Sequence, residues 1–161
     1  MKKIQILLLL SFFMSCSAPK KDAESNDVQV MENNSNRTII KTNKAPLPIG
    51  PYNQGVVVGK TLYAAGQIAI NPTNNEMVTE NIEQEAAQVL DNLKAVIEAA
   101  GFKMDQVVKT TIYMTDLNDF TRVNEIYGSY FSESNAPARV TVQVAALPKG
   151  AHLEISMIAV K

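Results

Sequence analysis

The chain has 161 residues, of which 46% are apolar, enough for one globular domain with short appendages. Its formal net charge is −1, and no run of Lys or Arg is longer than two, so there is no basic footprint for nucleic acid. A single Cys and a single His exclude an intrachain disulfide and a thiolate–imidazole metal cage.

The N-terminus, "MKKIQILLLLSFFMSC", sets Lys2 and Lys3 before an apolar stretch from Ile4 to Met14. That stretch is too short to span a bilayer and has the form of a signal peptide. It ends at Ser15-Cys16, so the only cysteine falls where bacterial lipoprotein processing needs one, although Phe13 stands where Leu is preferred. Residues 1–16 therefore predict an export signal with a lipidated Cys16. The plainer alternative is an ordinary signal peptide with an incidental cysteine. The lipoprotein reading implies an exported protein of the bacterial cell envelope, held to a membrane by its acyl chains alone. Residues 17–36, "SAPKKDAESNDVQVMENNSN", are small and polar without an apolar period, which predicts a flexible linker. The folded domain is expected over 37–161.

Within it, "TIIKT" (38–42) predicts a first strand, and "APLPIGPYNQG" (45–55), broken by three prolines, a structured loop. "VVVG" (56–59) and "TLYAAGQIAI" (61–70) predict a hairpin turning at Gly59-Lys60. From Ile82 the apolar residues recur at helical spacing through Ile97 and Ala100, with Glu83, Glu85, Gln88, Asp91 and Asn92 on the opposite side. Thr79 is the expected N-cap of this helix and Gly101 the residue that ends it. "VVKTTIYM" (107–114) is strand-like. Asp116 or Asn118 would cap a second helix carrying Phe120, Val123, Ile126, Tyr127 and Tyr130 inward. Two strands, 139–146 and 152–160, close the chain around "LPKGA". The order β-β-β-α-β-α-β-β predicts one α+β domain with two helices on one face of a sheet.

Alternation puts Val140, Val142 and Val144 on one face of their strand, read as the buried one, and Arg139 and Thr141 on the other. If the last two strands pair as a hairpin with coincident apolar faces, Arg139 and Glu154 share the remaining face about 13 Å apart. Arg139 is then either an ordinary edge arginine or a planar fork for a carboxylate ligand. Glu154 is either a solvated carboxylate or a group that orients water. Tyr52, in a Pro/Gly loop, and Asn124, inside a helix, are weaker candidates. His152, beside a turn, is expected to be exposed. No P-loop, nucleophile elbow, GxGxxG or HExxH motif occurs.

The stretches "GPYNQG", "AAGQIAINP", "LDNLKAVIEAAG", "VVKTTIYMTDLNDFTRVNEIY" and "PARVTVQVAALPKGAHLEISMIA" together resemble the Rid (YjgF) family of reactive-intermediate deaminases over residues 38–161. The resemblance implies a chorismate-mutase-like α+β protomer with a mixed sheet, assembled as a homotrimer with sites between subunits. It implies hydrolysis of enamines and imines such as 2-aminoacrylate to 2-oxo acids and ammonium, without metal or organic cofactor. By motif, Arg139 would bind the substrate carboxylate and Glu154 position water. Tyr52, Gly66, Asn124 and Thr141 would bind substrate. It also implies that Arg139 of one chain meets Glu154 of its neighbour. Ala65, Thr141, Ser156 and Ala136 depart from residues common in the family and bear on substrate range. The other reading on this fold is a non-catalytic trimer that binds small ligands or acts like a chaperone.

Overall fold

The computed structural model describes residues 37–161; Cys16 and the linker lie outside the described residues. Six strands form a single sheet: β1 Arg37–Ile40, β2 Gly55–Val58, β3 Thr61–Gln67, β4 Val107–Met114, β5 Ala138–Gln143 and β6 Leu153–Val160. Two helices, α1 Ile82–Ala99 and α2 Phe120–Gly128, complete the domain. The expected order and class are those observed. Short β-branched stretches yield the first strands: β1 and β2 are four residues each, and β2 turns into β3 at Gly59, whose φ of +59° suits glycine.

The sheet runs β1-β2-β3-β6-β4-β5. All neighbours are antiparallel except β4 and β5, which run parallel and are joined by α2, the crossover that parallel strands require. The expected hairpin between the last two strands does not form, because β4 lies between β5 and β6. β5 also ends at Gln143 rather than 146. β3 ends at Gln67, beyond which only Ile70 makes an isolated bridge, to Met77.

Register then assigns each strand's faces. Ala64, Met157 and Thr110 lie side by side under the helices, as do Gln67, Ile155, Ile112 and Thr141. The core fills the layer between this face and Val89, Leu90, Leu93, Val96 and Ile97 of α1 and Val123 and Tyr127 of α2. Phe120, expected inward, is 40% exposed. The valines of β5 are a second departure. Arg139 pairs with Thr110, which is buried on the helix side, so Val140 and Val142 point to the helix-free face, where they are 41% and 39% exposed. A sheet strand alternates faces. Its apolar residues therefore mark one face of the strand without saying whether the helices lie on that face.

The cap of α1 is Asn81, not Thr79: the Asn81 carboxamide oxygen accepts from the Gln84 N–H at 2.9 Å. At the other end Gly101 takes φ +73° and its N–H donates to Glu98, while the Phe102 N–H donates to Ile97, closing the helix as expected.

Two polar residues assigned to the outer side of α1 are buried. Asn92 donates to the carbonyls of Ile68 (3.1 Å) and Ile70 (2.9 Å) and accepts from Gln88. Glu85, fully buried, accepts from the N–H groups of His152 (2.7 Å) and Leu153 (3.1 Å), and its second oxygen lies 2.9 Å from His152 Nδ1. His152 is exposed, as expected, yet tied to this carboxylate. Helical period cannot identify such residues, because their partners are backbone groups of distant segments. Both clamp α1 to segments beside the site described below. Glu85→Ala strands two backbone N–H groups at the head of β6. It should cost about 3 kcal/mol, read as a lower urea midpoint with unchanged slope at fixed protein concentration.

Candidate functional site

The loop before β2 is shaped by Gln54, a fully buried amide that the sequence does not single out. Its Oε1 accepts from the Thr42 N–H (2.7 Å), and its Nε2 donates to the carbonyls of Thr42 (2.9 Å) and Pro46 (2.8 Å). Its own carbonyl accepts from the Ala65 N–H at 3.0 Å, so one residue fastens the Pro-rich loop to β3 next to Gly66. In this loop the Tyr52 hydroxyl accepts from the Ile49 N–H (3.2 Å), which holds the ring over the space beside Gly66.

At Gly66 the β3–β6 register shifts, between Ala64 and Gln67, and the backbone approaches Glu154. A Cβ at position 66 would collide with the Glu154 carboxylate, so only glycine lets the acid lie there. Tyr52, Gly66 and Glu154 thus come together in a cleft of about 320 Å³. Burial pushes the Glu154 carboxyl above the ordinary carboxylate range.

The other candidates assemble elsewhere. Arg139, Thr141 and Asn124 line a shallow recess with Phe120 and Val123, where α2 overhangs β5. The Arg139 guanidinium carbon sits 4.7 Å from the centroid of the Tyr127 ring and 5.6 Å from that of Phe120, a stacking that fixes the fork and keeps it half-buried. Burial pushes the Tyr127 hydroxyl up. Its hydrogen bond to Thr110 and the charge of Arg139 act the other way. Among the described residues Arg139 makes no ion pair.

The expectation that Arg139 and Glu154 share a face fails. On β4, Arg139 stands opposite Thr110 and Glu154 opposite Tyr113, and Thr110 and Tyr113 point to opposite sides. The six candidates of the domain therefore form two groups on opposite faces: Tyr52, Gly66 and Glu154 on the helix-free side, and Asn124, Arg139 and Thr141 on the helix side. Cys16 lies outside the described residues. Also among these, no group of three or more His, Cys, Asp or Glu could hold a metal ion.

The raised position of Glu154 has a consequence for stability. A carboxyl whose folded pKa exceeds its unfolded one supports folding at low pH, and that support is lost as pH rises through the raised value. Glu154→Gln removes the ionised group. It should raise the urea midpoint at pH 7.5, with the gain shrinking towards zero as pH falls through the raised value to the ordinary carboxylate range.

Known proteins carry the same fold and much of this sequence. The family model described as Endoribonuclease L-PSP matches residues 42–161. The human protein named 2-iminobutanoate/2-iminopropanoate deaminase is 48% identical over 125 residues, covering 78% of this chain and 90% of that one. Of solved structures, the YjgF gene product of E. coli aligns with a TM-score of 0.73 at 48% identity, over 77% of this chain and 98% of that one. E. coli TdcF, solved with bound serine, aligns with a TM-score of 0.73 at 42% identity and the same coverage. A model match across most of the domain and identities near one half make the chain a member of the Rid (YjgF) family.

Proposed function

We propose that the protein is a hydrolase that deaminates reactive 2-imino acids and their enamine tautomers to 2-oxo acids and ammonium, at sites formed between the subunits of a homotrimer. The division of the candidate residues into two groups carries this reading. Each group is chemically incomplete: among the described residues one has an acid and no cation, the other a cation and no acid. The helix-free face that bears Glu154 also exposes Val140, Val142 and Tyr63, a surface suited to burial against another copy. A neighbour packed there would bring its Arg139 group to the first chain's Glu154 cleft. The name of the human relative and the serine bound by TdcF support a small amino-acid-like ligand.

In the assembled site the Arg139 guanidinium grips the substrate carboxylate through two parallel N–H donors, which orients the imine carbon. Glu154 accepts a hydrogen bond from a water above that carbon. The water oxygen bonds to carbon, and the C=N π pair moves to nitrogen. Glu154 takes the water's proton and returns it to the nitrogen. The carbinolamine then collapses: Glu154 takes the hydroxyl proton and passes it to the amine nitrogen, the C–N bond breaks, the C=O bond forms, and ammonia leaves. Tyr52 and the Gly66 backbone bound the cleft on the Glu154 side, with Asn124 and Thr141 on the Arg139 side.

The test couples an L-amino acid oxidase, which generates the imine, to semicarbazide trapping. Wild type should divert imine from semicarbazone to 2-oxo acid, and Arg139→Ala should reduce that effect at least ~100-fold. Mixing unfolded Arg139→Ala and Glu154→Gln chains before refolding should restore activity that neither variant has alone. Equal rates for wild type and Arg139→Ala would refute the deaminase reading, and absence of restoration would refute the shared site.

The exported, lipid-anchored location is likewise a proposal, resting on the positive Lys2-Lys3 segment, the apolar stretch and Cys16. Expressed in bacteria, the full chain should fractionate with membranes and Cys16→Ser should not. Identical fractionation of the two would overturn the anchor.

A further inference from the structure

We propose that the cleft beside Glu154 is a side-chain pocket selecting imines of bulky aliphatic amino acids, with Leu47 as a specificity-determining residue. The inference rests on the imino-acid reading above and deepens it. Its first support is the lining. Pro46, Leu47, Ile49, Ile68, Ile70 and Pro148 supply apolar walls, and among the described residues of the same chain no Lys or Arg lines the cleft. Leu47 and Ile49 are 69% and 54% exposed, large apolar side chains left uncovered at the mouth. An aliphatic ligand group would remove them from water, whereas an anionic one would meet Glu154.

Size is the second support. The 2-imino acid derived from alanine has six non-hydrogen atoms. At about 30 Å³ apiece, the share of one water in the liquid, these fill no more than about 180 Å³. The cleft is about 320 Å³, which leaves space for roughly four more carbon-sized groups. The walls are also fixed in advance. Gln54 fastens the Leu47 loop through the Pro46 carbonyl, and Asn92 holds the carbonyls of Ile68 and Ile70. A pocket held by buried amides keeps its shape without ligand, so discrimination by size needs no reordering.

Two measurements on the full chain test this: calorimetric affinity for pyruvate and for 4-methyl-2-oxopentanoate, and turnover of alanine- and leucine-derived imines. The branched acid should bind about 10-fold more tightly, as expected for burying extra methylenes. Leu47→Ala should lower that ratio about fivefold, and Leu47→Met should preserve it. Equal affinities in wild type, no binding of either acid, or a ratio untouched by Leu47→Ala would overturn the inference. The affinity preference without turnover of either imine would uphold the pocket and sink the deaminase reading. Turnover of both imines without any affinity preference would do the reverse.

Discussion

The direction in which Arg139 points is set by one pairing, the parallel register of β5 on β4. Thr110 and Arg139 stand opposite each other and both face the helices; Tyr113 and Glu154 stand opposite each other and both face away. Thr110 and Tyr113 are an odd number of residues apart on a strand of period two, so the two pairs cannot share a face. With β6 inserted between β3 and β4, no adjustment of loops brings the two candidate residues together within one chain. Sliding β5 by one residue would turn Arg139 over, but it would also drive Val140 and Val142 under α2 and take the guanidinium off the Tyr127 ring.

That constraint makes sense of features with no evident purpose in a lone protomer. Val140 and Val142 are apolar and exposed on the face opposite the core, the face that also carries Tyr63 at 50% exposure. The Arg139 fork is held by two aromatic rings and not by an acid. Glu154 occupies the space a Cβ on residue 66 would take, and among the described residues no cation lines its cleft. Each feature is unfavourable or idle by itself. Together they fit the proposed trimer, in which one face of a chain meets a different face of its neighbour.

Much of this was legible in the sequence where a local rule governs. The 3.6-residue stripe located α1, Gly101 marked its end, and Gly59-Lys60 placed the β2–β3 turn. Local rules fail where a distant partner decides. Glu85 and Asn92 look like solvent-facing residues of an amphipathic helix, but their partners are backbone groups of residues 152–153 and 68–70. The valines of β5 identified an apolar face, yet alternation alone cannot say what covers it. Strand order was the deepest gap. Adjacent strands joined by a short turn favour a hairpin, but β4 inserts between them, parallel to β5 and antiparallel to β6. Gln54 gave no signal at all, since a buried glutamine that braces a loop looks like any polar loop residue.

The electrostatics of the proposed reaction favour this division of the site. The substrate is an anion, and the residue proposed to orient water is also an anion, so the two repel in a cleft where burial already raises the Glu154 pKa. A guanidinium fixed on Glu154's own strand could neutralise the acid as an ion pair before substrate arrived, at the expense of the substrate carboxylate. Holding Arg139 on the far face of its own chain, stacked on Tyr127 and free of acids among the described residues, keeps the fork for the ligand. In the proposed assembly the cation enters from a second backbone. The spacing between fork and acid is then set by how two rigid sheets dock, not by the reach of two side chains. Binding energy from the carboxylate–guanidinium contact can therefore offset the repulsion between substrate and Glu154. This is also why the fold can place a desolvated acid beside an anionic substrate without a metal or an organic cofactor in the proposed chemistry.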